Sequence, residues 1–283
     1  MRKSVRFFLL SMFAFVLSAN AQTDLTGTKL WNGDCQTGMS GWNITFTTAD
    51  NNGTGYVWKT SNHTESTGDY GYYNFDGQCI ELWGRSTEEP MGEATLSQYF
   101  TDLENGTYVF GAWMVATIQM NDSVRDARGY GEDYASEVTG VTVFANGNST
   151  VAQTNDPSTT KDTGHAWKFN VAAKVTDGKL TVGVKNAEDS NANFICVDNA
   201  TLYFFGNDSE EEALAKMAAI DYEKDKAAAD TLKTYPMAKD SLNALGAAGN
   251  HVDLRLAMKK AQRSIADYKN LTNSVGHADE VLA

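Results

Sequence analysis

From Leu25 to Gly206, apolar residues come in short runs that alternate with polar ones. The clearest runs are Cys79 to Trp83, Leu96 to Phe100, Thr107 to Thr117, Val141 to Ala145, Lys179 to Lys185 and Phe194 to Phe205. Asn105-Gly106, Asn146-Gly147 and Asp177-Gly178 stand between runs. Such pairs favour tight turns because Asn, Asp and Gly tolerate left-handed backbone. Period-two alternation bounded by turns predicts strands. Many short strands in succession predict an antiparallel sandwich or barrel. From Tyr108 to Thr117 both alternating faces are apolar, which predicts a central strand with Trp113 in the core. The rhythm breaks from about Met120 to Thr139, which reads as a long loop.

After Gly206 the period changes. Ser209-Glu210-Glu211-Glu212 has the form of a capping box, with Ser209 as N-cap and Glu212 at N3. Ala213, Met217, Ile220 and Leu232 follow near helical spacing. Pro236 suits the first turn of a second helix, which Gly246 ends. Leu254, Ala257, Ala261, Ile265 and Tyr268 mark one face of a third. The pattern predicts a mainly β chain: a β-sandwich over residues 22–206, then an α-helical module over 207–283 resembling a three-helix bundle.

Residues 1–21 are of another kind. Arg2, Lys3 and Arg6 precede an apolar run from Phe7 to Leu17, then Ala19-Asn20-Ala21. That order is a Sec signal peptide with cleavage after Ala21. The run is too short for a membrane-spanning helix, which needs about 20 residues. The expected location is therefore secreted, in the periplasm or at the cell surface, with no membrane insertion. The signal holds three of the 23 cations and none of the 36 acids, so the remainder carries −16. An acidic chain is repelled by phosphate backbones and anionic lipid, which excludes nucleic acid as a partner. Three cysteines remain, Cys35, Cys79 and Cys196. An odd set allows one disulfide with one thiol left over, or three buried thiols.

Three segments carry a family resemblance. Leu30-Trp31-Asn32-Gly33-Asp34-Cys35-Gln36-Thr37-Gly38, followed by Gly41-Trp42, resembles the opening motif of galactose-binding-like jelly-roll domains. Leu96-Ser97-Gln98 through Leu103, Gly106 and Tyr108 resembles their central hairpin. Phe194-Ile195-Cys196-Val197-Asp198-Asn199-Ala200-Thr201-Leu202-Tyr203 resembles their closing strand. The resemblance implies an antiparallel jelly roll of the carbohydrate-binding-module type, found in exported bacterial proteins. It also implies a structural calcium, held in many members by an acid of the opening motif and by the closing-strand Asp. Asp198 matches the latter. Gln36 stands where the acid would be, and Asp34 is the nearby substitute. The alternative is that Asp198 and Asn199 only hydrogen-bond turn backbone. Cys35 replaces a usual Phe, so a core aromatic is lost or a disulfide gained.

Sugars are bound by an aromatic ring under their C–H face and polar groups at their hydroxyls, so a binding ring must be exposed. Alternation in Cys79 to Arg85 turns Ile80 and Leu82 inward and Glu81, Trp83 and Arg85 outward. These three, with Tyr73, Trp58 and the loop residue Tyr130, are the expected carbohydrate-binding residues; Asp198 and Asp34 are the expected calcium ligands. No H-E-x-x-H, G-x-S-x-G or P-loop motif occurs. Glu132 and Glu137 lie an odd number of residues apart, which puts them on opposite faces of any strand. No enzyme is expected. The sequence reads as a non-catalytic glycan-binding protein. The alternative is a structural or adhesive surface module without a sugar site, and a partner protein on the helical region is a further expectation.

Overall fold

The computed structural model describes residues 22–46, 57–62, 78–83, 91–117, 138–152, 167–192 and 194–236, with further helical positions between 238 and 274. The strands are β1 (Thr23–Asp24), β2 (Asn43–Phe46), β3 (Val57–Asn62), β4 (Gln78–Trp83), β5 (Ala94–Phe100), β6 (Gly106–Thr117), β7 (Val141–Ala145), β8 (Asn148–Val151), β9 (Trp167–Val175), β10 (Leu180–Asn186) and β11 (Phe194–Phe204). One long helix, α1 (Glu210–Leu232), follows. The protein is mainly β, with antiparallel sheets and a C-terminal helix.

The strands form two sheets. The six-stranded sheet runs β3-β4-β11-β6-β9, with β1 beside β11; the five-stranded sheet runs β2-β5-β10-β7-β8. Ile80, Leu82, Phe110, Met114, Ile195 and Leu202 of the first meet Leu96, Val143, Val182 and Val184 of the second in one buried cluster. The inward setting of Ile80 and Leu82 follows from alternation, as expected. Cys35 lies in the same cluster. Its Sγ donates to the Val197 carbonyl at 3.6 Å, so the position is a lost core aromatic.

The outer face of the six-stranded sheet is covered as well. Cys79, Trp113, Val115, Phe194 and Cys196 pack with Ala229, Ala238, Ala257, Met258, Ala261 and Ile265. Val109, Ala172, Tyr203 and Phe205 pack with Ala213 and Met217 of α1. That second burial is why β6 and β11 are apolar on both faces. Trp113 is core, as its strand predicts.

The capping box forms as read: Ser209 Oγ accepts from Glu212 N at 3.2 Å, and Glu212 Oε2 accepts from Ser209 N at 2.8 Å. Charge adds to the cap, since the acids Glu210, Glu211 and Glu212 in the first turn face the positive end of the helix dipole. The buried stripe of α1 is Ala213, Met217, Asp221, Asp225 and Ala229, spaced so that one face meets the sheet. Ala257, Ala261 and Ile265 are buried as predicted, whereas Tyr268 is exposed. Among the described residues no helix is long and apolar enough to cross a membrane.

Candidate functional site: a cleft between helix and sheet

A cleft of about 400 Å³ opens between α1 and the outer face of the six-stranded sheet. The sheet contributes Trp113 from β6, Lys168 from β9 and Asn199 to Thr201 from β11. The helix contributes Asp221, Lys224 and Asp225, and the loops after β1 contribute Thr26 and Asp34.

The wall at β11 is a bulge. Asp198 opposes Trp113 and Thr201 opposes Gly111, so β11 spends one residue more than β6 over the same span. Asn199 takes the positive φ this needs, at 45°, a conformation Asn adopts more readily than most residues. The bulge frees Ala200 N to donate to Gly33 O at 2.7 Å. A Cβ on Gly33 would lie 2.5 Å from the Ala200 carbonyl oxygen. The opening and closing motifs of the family resemblance are thus one structure, joined backbone to backbone at the mouth of the cleft.

Charges in the cleft are mutually placed. Lys168 Nζ donates to Asp221 Oδ1 at 2.7 Å, and Asn170 Nδ2 to Asp221 Oδ2 at 2.7 Å. Lys224 Nζ donates to Tyr203 Oη at 2.7 Å and sits over its ring. Burial pushes the Tyr203 hydroxyl up, and its bond to Asp24 adds to that. Burial acts on Asp24 in the same direction, but hydrogen bonds from Tyr203 and Thr26 and the charge of Lys224 outweigh it and hold Asp24 below the usual carboxylate range. Gly111 lets this network cross β6: a Cβ there would run into Asn170, Lys168 and Thr201.

Of the expected carbohydrate-binding residues, Glu81, Trp83 and Trp58 fall on the neighbouring strands β3 and β4. Glu81 lies on the outer face of β4, as alternation requires, but is buried under the helical layer rather than exposed. Trp83 and Trp58 lie on adjacent strands, where Trp83 opposes Val57 and Trp58 opposes Leu82. Arg85, Tyr73 and Tyr130 lie outside the described residues. Asp34 is exposed at the cleft, and Asp198 is fully buried with its Oδ1 accepting from Asn199 N at 2.7 Å. Gln36 is turned to backbone, donating to Asp34 O at 2.9 Å and Gln78 O at 3.3 Å. Among the described residues no three His, Cys, Asp or Glu side chains gather around a metal-sized point. Calcium takes six to eight oxygens, more than Asp34 and Asp198 supply.

Several exposed rings were not among the expected residues, and Trp31 is the most exposed of those described. Trp31 is 62% exposed. Its backbone is clamped by the Gln98 carboxamide, which accepts from Trp31 N at 3.1 Å and donates to Trp31 O at 2.6 Å. One side of its indole lies against Gly41, whose φ is 82°. No periodic signal could have found it, because Leu30 and Trp31 lie in a bend rather than a strand.

No family model and no curated protein matches the chain. Among solved structures, the chain is similar to the cyclase Fisc of Fischerella sp. TAU, at 15% identity and TM-score 0.40, over 60% of this chain and 86% of that one. It is similar to the enzymatically active domain of tailspike protein 4 of bacteriophage CBA120, at 14% and 0.35, over 60% of this chain but only 20% of the tailspike. It is also similar to the xylan-binding domain of a Paenibacillus barcinonensis protein, at 14% and 0.31, over 59% and 88%. Identities and scores this low add nothing to the two-sheet arrangement described above.

Proposed function

We propose that the protein is a secreted, non-catalytic carbohydrate-binding protein that takes a neutral sugar unit in the cleft between α1 and the six-stranded sheet. The cleft itself carries the reading. Its volume of about 400 Å³ is in the range of small-molecule sites. Trp113 offers an apolar edge, and Asn199, Thr201, Lys224 and Asp225 offer the polar groups that a sugar's hydroxyls require. Asp221 has both oxygens engaged by Lys168 and Asn170, which suits an anchor better than an acid or base. In this reading the two sheets are a galactose-binding-like jelly roll. The helical positions near Pro236 and between 254 and 274 complete a three-helix layer. A structural calcium at Asp198 and Asp34 belongs to the same proposal, with carbonyl and water oxygens making up its shell.

A second reading is favoured by the same ion pairs. Lys168 and Asp221 fasten α1 to the sheet, which is what a structural or adhesive surface module without a sugar site needs. A glycan array of the full chain, with and without calcium, separates the two. Variants Asp34→Ala, Trp31→Ala and Trp83→Ala run beside it. Binding lost in Asp34→Ala alone supports the cleft. Loss only in Trp31→Ala moves the site to the exposed indole, and loss only in Trp83→Ala moves it to β4. A folded chain that binds no glycan class is the structural module. A calcium-dependent rise in melting temperature, abolished by Asp34→Ala, is the expected sign of the metal.

A further inference from the structure

We propose that Cys79 and Cys196 form a disulfide that joins β4 to β11 beneath the helical layer, with Cys35 remaining a thiol. Their Sγ atoms are 2.6 Å apart, across 117 residues of sequence. Both side chains are fully buried in the cluster between sheet and helices, beside Trp113, Val115 and Phe194. Strand register explains the meeting. Val197 opposes Ile80 and Cys196 opposes Glu81, so Cys196 and Cys79 are diagonal neighbours on one face of the sheet. Bonded sulfurs lie about 2.05 Å apart, so closure asks for a movement of only about half an ångström.

Cys35 is on the other side of the sheet, in the cluster between the two sheets. Its Sγ is directed at the carbonyls of Val197 and Gly33. Three cysteines allow one bridge, and the two faces of the sheet decide which.

The chemistry is thiol–disulfide exchange. The two thiols give up two protons and two electrons as the Cys79–Cys196 bond forms. The oxidant, a small or protein disulfide, is cleaved and leaves as two thiols. Such oxidants belong to the export route that the signal sequence predicts. Exchange needs a thiolate with access to solvent. Burial raises the Cys196 thiol well above its ordinary range, as do its bond to Cys79 and the charges of Glu81 and Asp198. The bridge therefore forms before the helices dock and is shielded afterwards.

The test is peptide mapping of the full chain after refolding from denaturant with oxidised glutathione. Free thiols are then blocked under denaturing conditions. The expected result is one linked peptide pair containing Cys79 and Cys196, with the blocking label on Cys35 alone. Three labelled cysteines, a bridge that includes Cys35, or a chain that recovers its β spectrum only when reduced would each overturn the proposal. The variant Cys79→Ala/Cys196→Ala supplies the second measurement. Reductant lowers the melting temperature of the oxidised chain and leaves that of the double variant unchanged. An equal response of the two overturns the proposal as well. Because the oxidant is supplied in the tube, the result does not depend on where the chain resides.

Discussion

Lys168 shows what individual residues contribute and what the sequence conceals. Its side chain is 3% exposed and lies 2.7 Å from Asp221, itself 6% exposed. Removing one member of a buried pair strands the other's charge, at a cost of about 3 kcal/mol. Lys168→Met is therefore expected to lose about that much stability in urea titration, and Lys168→Met/Asp221→Leu to recover most of it. Gly41→Ala puts a side chain at positive φ and against the Trp31 ring, with an expected loss of about 1–2 kcal/mol. Asp24 gives a pH dependence. Its native pKa lies below the 3.8 of the free side chain. Its contribution is thus complete above 3.8 and drains away as pH falls through the lower native value. Asp24→Asn is expected to show a shallower fall in melting temperature under acid than the parent chain. Little of this was legible in the sequence. Alternation placed Glu81 outward correctly, but outward is exposed only where nothing covers the sheet. The covering residues, Ala229 to Ile265, come well over a hundred positions later in the chain.

At the scale of elements, local signals were read well and pairings poorly. The capping box at Ser209 and Glu212 needs only four consecutive residues, and it forms as read. Ser209→Ala is expected to cost about 1 kcal/mol, measured by thermal or urea unfolding. Met217 is fully buried against the sheet, and Met217→Ala is expected to cost about 3 kcal/mol. The docking of α1 was harder to see because Asp221 and Asp225 occupy its buried stripe. Two acids there break the apolar period that marks a packed face, and Asp221 is tolerated because Lys168 and Asn170 reach it from β9. Strands β2, β3, β8 and β9 escaped the sequence reading. β2, β3, β8 and β9 each end a sheet path, and edge strands lack the near-continuous apolar runs that two-sided packing gives central strands.

At the scale of the whole molecule, stability rests on contacts between distant segments. The Asp198-Asn199 and Asn32-Gly33 motifs were legible as signatures of a fold, but their meeting through Gly33 and Ala200 was not. A pattern of single residues does not encode which bulge faces which loop. The Cys79–Cys196 link follows the same logic. Closing a loop of 117 residues is worth about 5 kcal/mol in the chain-entropy account. Reduction is therefore expected to lower the urea midpoint with little change in far-ultraviolet circular dichroism before the transition.

Strand β11 is central to the six-stranded sheet, with β4 on one side, β6 on the other and β1 at its end. It is also the last of the described strands. Strand β1 has no neighbour in that sheet until residues 194–204 exist, and until then β4 pairs only with β3, and β6 only with β9. A growing chain stopped short of Phe194 has the parts of the sheet without its spine. The six-stranded sheet is thus joined only when its last-made strand enters between β4 and β6, whereas the five-stranded sheet, whose strands are all made by Asn186, needs no residue of β11.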